Sequence, residues 1–339
     1  MGERALTRIQ YGMEAVGFHG APVAARTMAL KVAEPMQPDR VPSFPEEDFG
    51  ARAKALRSHI GQHLVSDTLT FEEGYFEMLP FMFSCGLKGT PIPVVNAVTS
   101  WDWTFNPLMI AANVHDSFTL EKGDDVANWQ CSYGMFERIN IKGTVNQGSE
   151  FSPVTITGDF FADEWIDGGG MAAIEPIVTW PINAKLAQLD IDATWAARGT
   201  NEAEDTLRSF DIDIMTGLHP KMLGSAGKIF DTHAEGIIHV TSAFTFEGNA
   251  AANTEYGHFL TQSDRMYRLT ITNPATPAAA SVLRIDTFGR WKEVIPFADA
   301  DRGNNLHTLV HESILDPDDY AASPDMHEVF VTTTINTPW

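Results

Sequence analysis

The chain has 339 residues, 44% of them apolar and 20% charged, which is the balance of a globular protein and excludes a disordered one. Its 45 acidic and 23 basic side chains give a formal net charge of -22, and no cluster of Lys and Arg occurs, which excludes nucleic-acid binding through a basic patch. Two cysteines, Cys85 and Cys131, are too few for a secreted disulfide scaffold and predict free thiols in a reducing compartment.

The start of the chain, MGERALTRIQYGMEAVGFHG, lacks an apolar core of signal-peptide length. No window approaches the run of about 18 apolar residues that a membrane span needs. The sequence therefore predicts a soluble protein that is made in the cytoplasm and has no membrane partner.

One helix is predicted after the strand that opens LTFEEGYFEMLPFMF, residues 69–83. The apolar residues of this stretch recur at three- and four-residue steps: Tyr75, Met78, Leu79, Met82 and Phe83. Pro80 predicts that the helix is short or kinked, and Gly86 stands where helices often end in a glycine. An earlier segment, Glu46 to Ile60, fits a weak helix and a long excursion between strands equally well.

Seven segments alternate apolar and polar residues, as strands with one buried face do. They are Phe118 to Asp125, Arg138 to Val145, Val154 to Phe161, Phe210 to Gly217, Tyr267 to Asn273, Val282 to Gly289 and Glu328 to Thr334. The runs are short, rich in β-branched residues and bounded by Gly, Pro, Asn and Asp. This pattern predicts a mainly β fold of antiparallel sandwiches or barrels and disfavours a wound parallel sheet.

A shorter echo of the 69–83 stretch, FTFEGN at 244–249, indicates an internal duplication. Phe246 follows Phe71 by 175 positions (246 − 71), slightly more than half of the chain. Other segments pair in the same order: 28–38 with 209–220, 66–83 with 241–260, 101–107 with 267–274, 117–125 with 281–289, 136–143 with 307–314, and 154–161 with 327–334. The second copy replaces the apolar helix with AAANTEYGHFL, so we expect the two copies to meet different neighbours.

The duplication predicts a first domain over 1–165, a linker over 166–181 and a second domain over 182–339. The linker region contains three glycines and two prolines in DEWIDGGGMAAIEPIVTWP. A phosphate cradle at Gly168 to Gly170 is disfavoured, because no Lys-Ser/Thr follows it and no parallel β-α unit surrounds it.

No constellation of residues predicts catalysis, and neither a cofactor nor a metal is expected. His307 and His311 lack the zinc-protease spacing, because Thr308 stands where the Glu belongs, and we expect them to be surface residues of a strand. Asp299 to Asn305 lacks the ligands of a calcium loop and fits a polar turn.

Six segments carry a resemblance to a known family: Ile9 to Ala25, Asp67 to Gly89, Trp103 to Pro107, Asp116 to Asp125, Tyr133 to Val145 and Leu283 to Asn305. Through them the chain resembles the tail tube proteins, or major tail proteins, of long-tailed, non-contractile bacteriophages. The coverage is most specific in the first half, and none of the motifs is a catalytic signature.

The resemblance implies two tandem β-sandwich or barrel domains of tail-tube type, each with a short flanking helix. Six such domains form a ring whose inner sheets join into one barrel around a channel, so a two-domain chain would need three copies. Rings that stack head to tail make a filament, because such contacts do not close. The implied location is the virion tail, after synthesis in the host cytoplasm.

The partners implied by the resemblance are further copies of the chain, the tape measure protein and DNA transiently in the lumen, and the tail tip and tail terminator proteins. An acidic lumen would repel DNA phosphates and let the genome pass. The candidate lumen-facing residues are Glu121, Lys122, Asp211 and Asp213. By analogy with the family, loops such as Pro35 to Ala53 would bridge successive rings.

Two other interpretations stay open. A different structural protein of a phage tail, or a capsid-decorating β-protein, would also explain the duplication and the acidity. A double β-sandwich that binds or hydrolyses carbohydrate would use the eight tryptophans, of which Trp101 and Trp103 share a strand face.

Overall fold

A computed structural model describes residues 7–14, 17, 19–30, 32–33, 42–43, 46, 59–60, 64–97, 100–124, 126–145, 150–168, 171, 173–201, 203, 207–223, 230–273, 281–301, 304–316 and 326–338. This part of the chain is mainly β, with 55% strand and two short helices. Within the same residues, no helix combines the length and the apolar character needed to cross a bilayer.

The strands of the described residues, in chain order, are β1 (Arg8–Met13), β2 (Thr27–Ala29), β3 (Val32–Ala33), β4 (Pro42–Ser43), β5 (His59–Ile60), β6 (Val65–Phe71), β7 (Val94–Ala97), β8 (Ser100–Phe105), β9 (Phe118–Gly123), β10 (Asn128–Thr144), β11 (Val154–Ala162), β12 (Ile166–Asp167), β13 (Ala187–Asp192), β14 (Leu207–Met215), β15 (Leu218–Lys221), β16 (Thr232–Glu235), β17 (His239–Glu247), β18 (Arg265–Asn273), β19 (Ser281–Asp301), β20 (Asn304–Ser313) and β21 (His327–Thr333). The helices are α1 (Leu79–Ser84) and α2 (Ala250–Thr261). The seven strands predicted from alternation are confirmed, and their pairings are antiparallel.

One continuous antiparallel sheet, which we call the shared sheet, runs through both halves of the chain. Its strand order is β3-β6-β11-β10-β14-β17-β20-β19, using residues 135–144 of β10 and 289–301 of β19. The halves meet between β10 and β14, where residues 138–144 pair with residues 209–215. A backbone ladder therefore joins residues on opposite sides of the predicted linker.

Two smaller sheets cover the apolar face of the shared sheet. Sheet 1 has the order β2-β1-β9-β10-β12 and uses the first part of β10. Sheet 2 has the order β13-β18-β19-β21-β8-β7 and uses the first part of β19. Phe160 of the shared sheet lies 5.6 Å from Phe118 of sheet 1, and Phe244 lies 4.9 Å from Tyr267 of sheet 2, measured between ring centroids.

The pairing pattern of the first half recurs in the second half. β9 lies between β1 and β10, β10 continues to β11, and β11 pairs with β6. In the same way β18 lies between β13 and β19, β19 continues to β20, and β20 pairs with β17. The flanking strands match too, since β3 and β14 border β6 and β17, and β12 and β21 border β10 and β19.

Only the first two of the six segment pairings predicted from sequence agree with this pattern: β3 with β14, and β6 with β17. The other four are wrong, each by one strand. Residues 101–107 were paired with β18, but they contain β8, whose hairpin with β7 has no counterpart between α2 and β18. Because the counterpart of β18 is β9, each later segment was matched one strand too late.

The first-half helix α1 is enclosed on all sides. Its six residues are fully buried, and Phe81 stacks on Tyr11 of sheet 1 with 4.0 Å between the ring centroids. Phe83 lies 5.6 Å from Phe105 of β8, so sheet 2 also contributes to the cover. Removing one such buried ring typically costs about 3–5 kcal/mol.

The predicted helix is confirmed, but Pro80 and Gly86 have other roles than the predicted kink and helix end. Pro80 stands in the first turn of α1, where its missing N–H is tolerated, and a 3-10 turn over Phe76–Met78 precedes it. Gly86 does not adopt a positive φ. A Cβ there would lie 3.0 Å from Ile139 Cδ1 and 3.1 Å from the carbonyl oxygen of Met82, so close packing explains this glycine.

The second-half helix α2 takes the place of α1 in the chain order but faces solvent. Its buried residues are Ala252 and Glu255, and Leu260 is 63% exposed. Arg265 donates two hydrogen bonds to Glu255, of 2.9 and 2.5 Å, and Trp291 Nε1 donates a third of 2.7 Å. A buried ion pair holds α2 where aromatic rings hold α1, so the two helices have different neighbours within the chain. That the two copies meet different neighbours stays a prediction.

The predicted linker packs against the first half. The backbone N–H of Trp180 donates to the Glu77 carboxylate at 2.9 Å, and Pro181 forms an isolated antiparallel β-bridge with Tyr75. The domain boundaries stay a prediction, and the β8–β21 ladder is a second connection across them. Gly169, Gly170 and nearly all of Glu46 to Ile60 lie outside the described residues.

Long strands β10 and β19 each pass from a smaller sheet into the shared sheet at a glycine. A Cβ at Gly134 would lie 2.4 Å from the Phe118 ring, and a Cβ at Gly289 would lie 2.0 Å from the carbonyl oxygen of Glu312. At both places where a strand passes from one sheet to the other, neighbouring atoms approach the glycine so closely that a side chain would not fit.

We predict that Gly289→Ala lowers the free energy of unfolding by roughly 1–3 kcal/mol, because the new methyl overlaps backbone. Gly257→Ala is the matched control, since Gly257 lies in α2 and, apart from its chain neighbours and the backbone of its own helix, nothing lies within 4 Å of the place that its new methyl would take. That change should raise the free energy of unfolding by about 0.5–1 kcal/mol. Chemical denaturation measures both, and equal effects at the two glycines would contradict the packing argument.

Two histidines of the second half are buried without charge. Burial lowers the pKa of His311 and of His327 from 6.5 to about 4. The His311 ring donates from Nε2 to the carbonyl oxygen of Arg265 at 3.1 Å. Between pH 6.5 and 4 the unfolded chain binds protons that the folded protein does not, so stability is complete above this window and is lost as the pH falls through it.

We predict that each of these histidines contributes about 3 kcal/mol of acid destabilisation by pH 4. His327→Gln should make the free energy of unfolding less dependent on pH between 6.5 and 4. Denaturant titrations across this range measure the dependence, with His219→Gln at an exposed position as control. An unchanged pH dependence in His327→Gln would refute the assignment.

Candidate functional site

One face of the shared sheet is polar across its strands, and we call it the polar face. Alternate residues point away from the core, whereas their neighbours, such as Ile139, Ile212 and Phe244, are fully buried. The residues of the polar face include Thr68 and Thr70, Thr155, Thr157 and Asp159, Arg138, Asn140 and Lys142, Ser209, Asp211 and Asp213, Thr241 and Thr245, and Thr308 and Glu312. Thr and Ser are the commonest residues on this surface, which Met215, Ala243 and Val310 interrupt.

Charges on the central strands of the polar face are paired. Arg138 donates to Asp213 at 2.6 Å and to Asp159 at 3.4 Å. Lys142 donates to Asp211 at 3.1 Å, and that carboxylate also accepts from the side chain of Asn140 at 2.7 Å. The bases in the middle of the sheet are therefore held by acids of the neighbouring strands. The hydrogen bond from Arg138 to Asp213 raises the pKa of the guanidinium further.

Of the four predicted lumen-facing residues, the structure brings together only Asp211 and Asp213, which lie two apart on the polar face. Glu121 and Lys122 lie on β9 in sheet 1. Glu121 is 8% exposed, burial raises its pKa, and Gln130 donates to it at 3.2 Å. The four residues do not form one surface.

Sequence reasoning missed the ladder between β10 and β14, although a signal for it was present. RINIKG places Arg138, Asn140 and Lys142 on one face, and FDIDIM places Asp211 and Asp213 on one face. Lys142 stands directly opposite Asp211 in the ladder, and opposite charges in such positions favour cross-strand pairing. The pairing of these two strands could therefore have been predicted from their charges, but not the register, because Arg138 stands opposite Met215 and reaches Asp213 diagonally.

The shared sheet has two free edges among the described strands. Among the described strands, only β6 pairs with β3, and only β20 pairs with residues 290–301 of β19. An edge strand presents unpaired N–H and C=O groups and can pair with another chain. These two edges are the backbone groups through which the shared sheet could extend.

The tryptophans within the described residues do not form one aromatic surface. Trp103 is fully buried and donates to the carbonyl oxygen of Ile335 at 3.2 Å, while its strand neighbour Trp101 is half-buried. Trp129, which is 46% exposed, and the buried Trp165 line a cavity of about 300 Å³ together with Lys122.

His307 and His311 were predicted on the surface of a strand; the strand is confirmed but the surface position is wrong. Both lie on the inward face of β20, at 3% and 0% exposure. Across the described residues, His, Cys, Asp and Glu side chains do not assemble into a group of three or more that could hold a metal ion. Cys85 and Cys131 are free and buried, which confirms the prediction of free thiols.

No protein-family model matches the chain, and no curated protein is similar to it by sequence.

We predict that the ion pairs of the polar face contribute little to folding. Arg138 is 44% exposed and Lys142 is 61% exposed, so water screens their attraction to the acids. Asp211→Asn and Asp213→Asn should each change the free energy of unfolding by less than about 1 kcal/mol. Denaturation at low and high salt measures this, with Asp286→Asn, a buried acid paired to Arg268, as the contrasting variant. Large losses in the first two variants would show that the pairs are structural.

Proposed function

We propose that the chain is a structural virion protein of tail-tube type, built from two tandem tail-tube domains. Three copies would form a ring, and rings would stack into the tail tube of a long-tailed phage. The tube would be a channel for the genome on its way into the host. The observation that supports this proposal is the ladder between β10 and β14, taken together with the repeated pairing pattern.

The repeat makes β10 the last strand of the first domain's share of the sheet and β14 the first strand of the second domain's share. Inside one chain, last strand and first strand pair over residues 138–144 and 209–215. By the same rule, the last strand of the second domain, β19, would pair with β3 of another copy. Each chain then offers one free edge of each kind, and repeated pairing in one direction gives a ring of identical subunits when the rotation between copies closes.

The register of that contact follows from the internal junction. Thr144 pairs with Ser209 inside the chain. Thr144 of β10 corresponds to Asp301 of β19, because β10 pairs with β11 as β19 pairs with β20. Ser209 of β14 corresponds to Ala33 of β3, because β14 pairs with β17 as β3 pairs with β6. Ala33 of one copy is therefore expected opposite Asp301 of the next.

The polar face would line the channel, since its other side is the apolar core. A phosphate backbone binds to free Lys and Arg. Here Arg138 and Lys142 already donate to Asp213 and Asp211, and the surrounding side chains are mostly Thr and Ser. Such a surface offers DNA few charged anchors, and this adds to the repulsion expected from the net charge of -22.

Contacts between rings would use the hairpins at one end of the sheet. β15 and β16 form a separate two-stranded sheet between β14 and β17, and exposed apolar residues follow both strands: Met222 and Leu223 after β15, and Ile237 after β16. β4 and β5 occupy the same place between β3 and β6. The predicted bridging loop, Pro35 to Ala53, falls largely outside the described residues.

Electron microscopy of the concentrated protein, or of particles that contain it, tests the proposal. We expect rings with threefold symmetry and tubes of stacked rings. A discrete monomer that binds an oligosaccharide at the cavity near Trp129 would favour the carbohydrate-binding alternative. A single non-stacking ring would favour another tail or capsid protein.

The register is tested separately by cysteine cross-linking. Ala33→Cys combined with Asp301→Cys should give disulfide-linked trimers when the assembled protein is mildly oxidised, because directly opposed strand residues lie within disulfide range. Ala33→Cys with Ala300→Cys is the matched control, since a shift of one residue turns the second thiol to the other side of the sheet. The native thiols are buried and contribute little background. Equal yields from the two pairs would refute the proposed register.

A further inference from the structure

The free edge of the shared sheet carries an irregularity in β19. Ile295 pairs with Thr308 and Asp299 pairs with Leu306, so three residues of β19 stand opposite the single residue His307. The middle one, Phe297, has a φ of 56° and is 69% exposed. A left-handed backbone is unusual for an aromatic residue. The first of the three is Pro296, which has no N–H to donate.

The corresponding place in the first half is regular. Ile141 pairs with Ile156 on β11 and with Ile212 on β14, and its side chain is fully buried. Ile156 and His307 are equivalent, because they pair with Phe71 and Phe246 on the next strands. Three residues of β19, 296–298, thus replace the one residue Ile141 of β10.

This difference coincides with a difference in pairing. The regular strand β10 pairs with β14 on its outer side, whereas no described strand forms a ladder with the outer side of β19 beyond Gly289. Bulges, prolines and twisted segments are the devices by which proteins keep edge strands from pairing with other chains. Pro296 removes a donor and Phe297 turns the backbone away from the ladder direction.

We propose that residues 296–298 are an edge guard: in the free chain they keep β19 from accepting a strand of a second copy, and pairing between copies requires this segment to straighten. The proposal deepens the proposed function and rests on it for the identity of the partner, which is β3 of another copy. The guard explains how a chain with two complementary edges can remain unassembled until assembly is started.

The test replaces Pro296, Phe297 and Ala298 by a single isoleucine, which copies the regular strand of the first half. Sedimentation velocity over a range of concentrations compares this variant with the wild-type chain. The concentration at which half of the protein has associated should fall by about tenfold or more, the factor expected from relieving one left-handed residue. Thermal unfolding at a concentration where both proteins are monomeric checks that the variant folds.

Phe297→Gly is the matched control. Glycine adopts a positive φ readily and keeps the three-residue bulge, so this variant should associate no more readily than the wild type. If Phe297→Gly associates as strongly as the isoleucine replacement, the exposed ring and not the bulge blocks the edge, and the proposal is overturned. It is also overturned if a folded isoleucine variant associates no more readily than wild type.

Electron microscopy of the same samples separates the guard from the proposed function. Threefold rings or tubes in the isoleucine variant support both. Stronger association into dimers or irregular fibres supports the edge guard and contradicts the tail-tube proposal. Wild-type protein that forms tubes as readily as the variant supports the tail-tube proposal and contradicts the guard.

Discussion

The ladder between β10 and β14 is the constraint on which the rest of the architecture depends. It merges the strands of two similar halves into one sheet, and it fixes which side of that sheet is core and which is the polar face. A shift of one residue would move Asp211 and Asp213 into the core. The pairs with Lys142 and Arg138 favour the observed register although each adds little stability.

The two halves use different means to hold the same framework. The first encloses an apolar helix, with Phe81 stacked on Tyr11. The second leaves α2 at the surface and ties it down through Glu255 and Arg265. Repeated strands with unequal helices suit a chain whose halves share one sheet but have different surroundings, which the proposed ring of three copies would require.

Strand existence could be predicted from sequence because alternation reports directly on burial, and all seven strands chosen in this way are present. Which strands of the two halves correspond could not be predicted, because the β7–β8 hairpin has no counterpart in the second half and its composition does not show this. The four residues predicted to face the lumen lie in two different sheets. Alternation tells which residues of a strand share a face, but the direction of that face is known only once the strand has been placed in the fold. His307 and His311 were misplaced for the same reason: they share the inward face of β20 with Leu309, and their polar character gave no sign of this.

The pairing of β8 with β21 has a consequence for how the chain is made. β8 is synthesised well before its partner strand, Val329 to Thr333, since Thr332 follows its partner Asp102 by 230 positions. Until then the cover that sheet 2 gives to Phe83 of α1 is incomplete, so this apolar helix stays accessible during translation. Contacts so distant in sequence slow folding and prolong exposure to aggregation. The cover over α1 is therefore completed only after β21 has been made, and until then we expect the first half to be prone to aggregation.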